Sequence, residues 1–207
     1  MGRRFPRITA AALVILGSAG ARADIVDEWL SAKAPPPPEL KQVSVDPKTT
    51  ALLMVDFLKA NCGVRPRCGA SLPTAKKLLG EARAAKTPVL YTFLGNFSVA
   101  DMIDPELAPK DDEPTVKSGP DKFLNTNLDD LLKQKGIKTV IVIGTAANGA
   151  VLITGSEAAL RGYDVIVPVD GISDSDTYKE QYTVFQLANA PTYSQRVTLT
   201  RVNMMKF

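Results

Sequence analysis

Histidine is absent from all 207 residues of the chain, and cysteine occurs only at Cys62 and Cys68. Without histidine, the chain cannot form a Ser-His-Asp triad, a Cys-His dyad or a histidine-ligated zinc or iron site. These absences exclude most hydrolytic mechanisms that rely on an activated serine or cysteine. We therefore expect neither a metal ion nor an organic cofactor.

The first 23 residues have the pattern of a secretory signal peptide. A basic start with three arginines precedes an apolar run at residues 10–16, and an A-x-A cleavage site ends at Ala23. The apolar run is far shorter than the roughly 20 residues that a membrane span needs, which favours cleavage over an uncleaved anchor. We therefore expect a protein exported to the bacterial periplasm, with no membrane span after cleavage.

In an exported chain, Cys62 and Cys68 predict a small-loop disulfide, because a redox or metal role would need partners that this sequence lacks. Such a bridge would leave no free thiol.

The charge of the chain is close to balanced once the leader is removed. The sequence has 25 basic and 22 acidic residues, and four of the arginines lie within residues 1–23. After removal of the leader, the chain therefore lacks the excess of positive charge that is typical of nucleic-acid-binding proteins. We expect a small-molecule substrate or ligand and no nucleic-acid partner. The charge does not decide whether the protein forms a homo-oligomer.

The chain divides into a signal peptide at residues 1–23, an N-terminal arm with a proline-rich segment at 24–44, and one domain at 45–207. The arm is predicted to contain a short helix at residues 24–34. In the domain, the predicted strands are residues 51–55, 88–94, 139–144, 164–169 and 196–200, and the predicted helices are 72–85, 127–135, 150–161 and 178–189. Strands that are apolar throughout and separated by helices predict a doubly wound three-layer α/β fold with a mostly parallel central sheet.

A parallel sheet of this kind binds ligands beyond the carboxyl ends of its strands. Asp56 follows the first predicted strand, and the turn GTAANGA at residues 144–150 completes the third and opens a helix. The segment at residues 95–122 is too long for an ordinary connection and rich in Pro, Asp and Gly, which is typical of an active-site loop.

Three stretches resemble the isochorismatase-like hydrolases, a superfamily of cysteine hydrolases that includes the nicotinamidases. They are ALLMVDF, TVKSGPDKFLNTNLDDLL and KTVIVIGTAANGAVLITGSEAALRGYDVIVPVDGIS. The resemblance covers residues 45–200 and implies the doubly wound fold. The family's aspartate, lysine and nucleophilic cysteine correspond to Asp56, Lys117 and Ala150. The chain is thus identified as a member that lacks the nucleophilic cysteine.

The resemblance implies a thiol-independent, metal-free hydrolase acting on a small polar or carboxylate-bearing molecule, as in family members that cleave vinyl ethers without the cysteine. Asp56 would be the general acid and Lys117 would orient it or stabilise developing negative charge. Backbone N–H groups of the turn would form an anion or oxyanion cradle, built from Thr145, Ala146, Ala147, Asn148 and Gly149.

Several alternatives stay open. The chain could be a non-catalytic ligand-binding protein of the same fold, or Asp56 could activate water on an amide. The small residues of the turn could serve only to let its helix pack tightly against the sheet, and Asn148 could simply cap that helix.

Overall fold

The computed structural model describes residues 23–207, so the predicted leader lies, except for Ala23, outside the described residues. The described residues divide into two units between Pro36 and Pro37, and the second unit is Pro37–Phe207. Residues 37–44, which we assigned to the arm, therefore belong to the second unit. Within residues 23–207, no helix combines the length and the apolar character that crossing a membrane requires.

The short helix predicted in the arm does not form. Residues 25–31 make a series of turns, in which the Glu28 N–H donates to the Asp24 carbonyl at 3.1 Å and the Ser31 N–H to the Glu28 carbonyl at 2.9 Å. An isolated helix shorter than about 12 residues is marginal in water, and the four prolines at 35–38 prevent its extension.

The second unit contains nine strands: β1 (Val43–Ser44), β2 (Thr50–Val55), β3 (Val89–Leu94), β4 (Thr115–Ser118), β5 (Thr139–Thr145), β6 (Asp164–Pro168), β7 (Ile172–Ser173), β8 (Val197–Thr200) and β9 (Met205–Lys206). Its helices are α1 (Lys59–Cys62), α2 (Pro66–Ala84), α3 (Leu128–Gln134), α4 (Leu152–Leu160) and α5 (Thr177–Asn189), and a π-helical turn at Ala147–Val151 leads into α4. The main sheet has the order β4-β3-β2-β5-β6-β8, with β7 also on β5, and all of its strand pairs are parallel. The predicted α/β fold with a mostly parallel sheet is confirmed.

The sheet is covered on both faces because successive residues of its central strands point to opposite sides. All six residues of β2 are buried. Leu53 and Val55 belong to one apolar cluster with Leu128 of α3 and Leu187 of α5. Leu52 and Met54 belong to the other, together with residues of α2. Each fully buried aliphatic side chain of this kind contributes about 1.5–3 kcal/mol.

Strand β4 was not predicted, because it is a four-residue edge strand whose Thr115 and Lys117 are exposed. It therefore lacks the apolar run that marks the central strands. Helix α2 starts earlier than predicted, since Pro66 occupies its first turn, where a missing N–H is tolerated.

A close contact between β2 and β5 places the carboxyl ends of these strands side by side. Val55 pairs with Gly144, whose φ is 140°, and a Cβ on Gly144 would lie 2.0 Å from the Val55 carbonyl oxygen. Only glycine fits such an approach. This register places Asp56, the residue after β2, beside Thr145, the last residue of β5.

Candidate active site

Asp56 stands at the point where β2 stops. Its backbone has a φ of 52°, in the left-handed region that aspartate tolerates better than most residues, and its N–H donates to the Thr92 carbonyl at 3.2 Å. The residue is 2% exposed. Its carboxylate is therefore held at the carboxyl edge of the sheet and almost completely shielded from solvent.

The ammonium that pairs with Asp56 belongs to Lys122. Its Nζ lies 2.6 Å from Asp56 Oδ2 and also donates to the Gly119 carbonyl at 2.9 Å. Lys122 is completely buried, and the Thr126 hydroxyl donates to its carbonyl at 2.7 Å. The chain thus fixes both the backbone and the side chain of this lysine.

The expectation that Lys117 pairs with Asp56 is wrong for this structure. Lys117 lies on the edge strand β4 with its side chain exposed, while the adjacent Val116 packs into the core. Because neighbouring strand residues face opposite sides, burying Val116 directs Lys117 away from that core. The sequence did contain a signal for Lys122, since it also precedes the segment F-x-x-T-x-L that follows the family's lysine.

Burial dominates the proton affinities of the pair. It raises the pKa of Asp56, against the opposing effect of the Lys122 ammonium. It lowers the pKa of Lys122, against the opposing effect of the Asp56 carboxylate. Asp56 Oδ1 is buried and makes no hydrogen bond of normal length and angle to the described residues, although the nearby Leu94 backbone favours the charged carboxylate. One oxygen of the carboxyl group is therefore not paired with Lys122, and the raised pKa favours the protonated form. Both properties suit a general acid.

The turn after β5 only partly forms the predicted cradle. The peptide bond between Thr145 and Ala146 is cis, and Ala150, which we predicted to correspond to the family's nucleophile, is 7% exposed within the π-helical turn. The Asn148 N–H donates to Asp174 Oδ2 at 3.0 Å, and the Gly149 N–H donates to the Ala146 carbonyl at 3.2 Å.

Fewer N–H groups of this turn are free to bind an anion than we predicted. Among residues 23–207, the N–H groups of Ala146 and Ala147 donate to no other protein group, whereas those of Asn148 and Gly149 are already engaged. Thr145 contributes to the turn through its hydroxyl, which donates to the Ser173 carbonyl at 3.0 Å.

Asp174 was not among the predicted site residues. It is 2% exposed, follows β7, and accepts hydrogen bonds from Asn148 N–H and, at 2.7 Å, from Ser175 N–H. The sequence shows it only as one of the acids in DGISD, and nothing there indicates contact with a residue 26 positions earlier. In the structure it anchors the start of the π-helical turn.

Cys62 and Cys68 form the predicted disulfide, and the loop that it closes lies against the same turn. Arg65 Nη1 donates to the Thr145 hydroxyl at 3.3 Å, and the Asn61 amide donates to the Asp56 carbonyl at 3.2 Å. The loop thus contacts the end of β5 through Arg65, and Asn61, the residue before the loop, contacts the end of β2.

A groove of about 390 Å³ lies at the opposite, amino-terminal edge of the sheet. Its lining includes Arg83, Lys86, Lys110, Glu113 and Lys135. Arg83 and Glu113 are already paired at 2.7 Å, and the three lysines are exposed. We place the active site at the carboxyl edge instead, because the buried, incompletely bonded carboxylate is there.

The sequence model of the isochorismatase domain matches residues 50–198. The chain belongs to the isochorismatase family. It is 35% identical over 118 residues to the secreted isochorismatase effector Isc1 of Verticillium dahliae, covering 52% of this chain and 62% of the effector. It is 26% identical over 170 residues to the uncharacterised isochorismatase family protein YwoC of Bacillus subtilis, covering 70% of this chain and 88% of YwoC.

Solved structures share the fold of this family member. An isochorismatase-like hydrolase from Alkaliphilus metalliredigens superimposes with a TM-score of 0.67 at 23% identity, covering 76% of this chain and 96% of that structure. A cysteine hydrolase from Pseudomonas syringae also gives a TM-score of 0.67 at 22% identity, covering 80% of this chain and 94% of that structure. At this identity the likeness establishes the architecture alone.

Proposed function

We propose that this isochorismatase-family protein is a hydrolase that uses no thiol and no metal, with Asp56 as general acid and Lys122 as its electrostatic partner. The proposed substrate is a small enol ether that carries a carboxylate. The observation that carries the proposal is the buried Asp56 carboxyl group, paired with Lys122 through one oxygen and without a hydrogen bond of normal length and angle to the described residues at the other.

The proposed chemistry balances with one water molecule. Asp56 donates its proton to the terminal carbon of the enol ether, which forms a new C–H bond and leaves an oxocarbenium ion. Water adds to that ion and returns a proton to Asp56, and the resulting hemiketal releases an alcohol and a keto acid. Lys122, at 2.6 Å from Oδ2, stabilises the carboxylate that exists between the two proton transfers.

Ala150 is the reason for preferring acid catalysis over acyl transfer. A methyl group occupies the position of the family's nucleophile, and the Cys62–Cys68 disulfide leaves no free cysteine among the described residues. Acid cleavage of an enol ether requires no covalent intermediate with the protein, so the loss of the cysteine does not block it.

The second candidate is a ligand-binding protein without catalysis. Ala150 favours this candidate too, and so does the Asp174 carboxylate, which already occupies the Asn148 N–H that a developing oxyanion would need. A binding protein would keep the affinity for carboxylate ligands and lack turnover.

We also propose that the protein acts outside the cytoplasm. Two observations support export: the relative in Verticillium dahliae is named a secreted effector, and the chain contains a disulfide, which persists in oxidising compartments.

A direct test uses 2-phenoxyacrylate, whose hydrolysis yields pyruvate and phenol. Pyruvate release is measured with lactate dehydrogenase after the protein has been treated with EDTA and iodoacetamide. We expect turnover that neither reagent reduces. Turnover lost in EDTA and restored by a divalent cation would contradict the metal-free mechanism, and binding without turnover in any condition would favour the ligand-binding protein.

A further inference from the structure

We infer that Arg65 binds the carboxylate of the substrate, and that the Cys62–Cys68 disulfide holds it in position to do so. The inference takes its site from the proposed function and adds the residue that selects an anionic substrate. Arg65 lies in the loop closed by the disulfide, far in sequence from the turn that it contacts.

The contact of Arg65 with Thr145 places its guanidinium group at the carboxyl ends of β2 and β5. The Thr145 hydroxyl donates to the Ser173 carbonyl at 3.0 Å and accepts from Arg65 Nη1 at 3.3 Å, so the hydroxyl fixes one nitrogen of the group. The register of Val55 with Gly144 sets Thr145 beside Asp56. The guanidinium therefore lies beside the strand ends that carry Thr145 and Asp56.

The other cationic groups around the turn already have carboxylate partners. Lys122 pairs with Asp56, and Arg67 pairs with Glu180, which in turn accepts from the Asp174 N–H at 2.9 Å. Lys179 has Asp176 at 3.4 Å and Asp174 at 3.9 Å. Within residues 23–207, Arg65 has no acidic partner within 4.0 Å, and its only side-chain hydrogen bond is the one to Thr145.

An arginine in this state is suited to a carboxylate ligand. The planar guanidinium presents five N–H donors in a fork that matches the two oxygens of a carboxylate, and Thr145 occupies only one of those nitrogens. Arg65 is half-buried, so an ion pair there would be weakened less by water and salt than a pair on the open surface.

The disulfide explains how so short a loop keeps Arg65 in place. The Arg65 N–H donates to the Cys62 carbonyl at 3.1 Å, and its own carbonyl accepts from the Cys68 N–H at 2.9 Å. Both cysteines are buried, whereas Val64 beside Arg65 is 78% exposed. The loop therefore has little packing of its own, and the bridge between its ends limits its motion.

The test compares 2-phenoxyacrylate with its neutral amide, 2-phenoxyacrylamide, on wild type, Arg65→Met and Arg65→Lys, with release of phenol, the product common to both compounds, as the readout. We expect Arg65→Met to raise KM for the carboxylate about 10- to 100-fold, the loss expected for charged hydrogen bonds, with kcat nearly unchanged. KM for the amide should stay within about twofold of wild type, as expected for a contact that only the carboxylate makes. Arg65→Lys should recover part of the affinity. Equal changes for both compounds would overturn the inference, because a distorted loop would affect both.

Binding measurements separate this inference from the proposed function. Calorimetric titration of wild type and Arg65→Met with 2-phenoxyacrylate needs no turnover. If wild type binds 2-phenoxyacrylate without hydrolysing it and Arg65→Met binds it more weakly, the role of Arg65 is supported and the hydrolase function is contradicted. Hydrolysis with unchanged affinity in Arg65→Met would support the hydrolase and refute the role of Arg65. As a further arm, Cys62→Ser with Cys68→Ser should raise KM for the carboxylate more than for the amide, and an equal effect on both would refute the role of the disulfide.

Discussion

Replacing Lys122 by methionine should destabilise the protein far more than the same change at Lys117. Lys122→Met removes the ammonium 2.6 Å from Asp56 and leaves a carboxyl group that is 2% exposed without its partner. Breaking a buried ion pair from one side costs about 3–5 kcal/mol. At about 2–4 °C per kcal/mol for a domain of this size, the Tm should fall by about 6–20 °C. Lys117 is exposed on an edge strand, so Lys117→Met should change stability by less than about 0.5 kcal/mol.

The loss in Lys122→Met should depend on pH in a defined direction. Burial raises the folded-state pKa of Asp56, and removing Lys122 removes the main effect that opposes this rise. A group with a raised folded pKa takes up a proton on folding, so its contribution to stability is fully present below its unfolded pKa and is lost as pH rises through the folded pKa. The difference in unfolding free energy between wild type and Lys122→Met should therefore shrink as the pH is lowered from 8 towards 4.

Urea unfolding of five proteins measures these effects: wild type, Lys122→Met, Asp56→Asn, the double variant and the control Lys117→Met. The double variant should be more stable than Lys122→Met, because it contains no unpaired buried charge. A deficit in Lys122→Met that is the same at every pH, or equal to that of Lys117→Met, would refute the buried pair.

Two further predictions concern the cysteines and the turn. In the unfolded chain, intact mass should show no labelling by iodoacetamide until a reductant is added, and two labelled thiols afterwards. Reduction of the disulfide should lower the unfolding free energy by about 2 kcal/mol, the value expected for a loop this short. Two thiols that are labelled without reductant would contradict the bridge. Ala150→Cys should react with iodoacetamide faster than free cysteine at pH 7, because the helix start and the Lys122 ammonium favour the thiolate. That enhancement should fall in Lys122→Met and persist in Lys117→Met, and an inert thiol would mean that the turn only packs.

The central strands could be predicted because burial on both faces leaves a direct mark in the sequence. β2, β5 and β6 are apolar runs bounded by polar residues, and the structure places them at the centre of the sheet. Edge strand β4 has no such mark, since half of its residues face solvent.

The site residues could be predicted only where the local sequence pattern determines where a residue lies in the fold. Asp56 follows directly from the end of its strand. The choice between Lys117 and Lys122 depends on the path of the long segment before α3, where a turn returns the chain so that Lys122 meets a residue 66 positions earlier. Asp174 and Arg65 reach the turn through contacts across 26 and 80 positions, and periodicity carries no information on contacts of that kind.

The proposed role of Asp56 is to deliver the proton that starts hydrolysis. Its most direct test is the comparison of wild type with Asp56→Asn on 2-phenoxyacrylate, with kcat from pyruvate release and Kd from calorimetry. We expect kcat to fall at least about 100-fold, the typical contribution of a general acid, while Kd changes by less than about threefold, because Arg65 and not Asp56 binds the carboxylate. Turnover by Asp56→Asn at close to the wild-type rate would contradict the role of Asp56 as general acid.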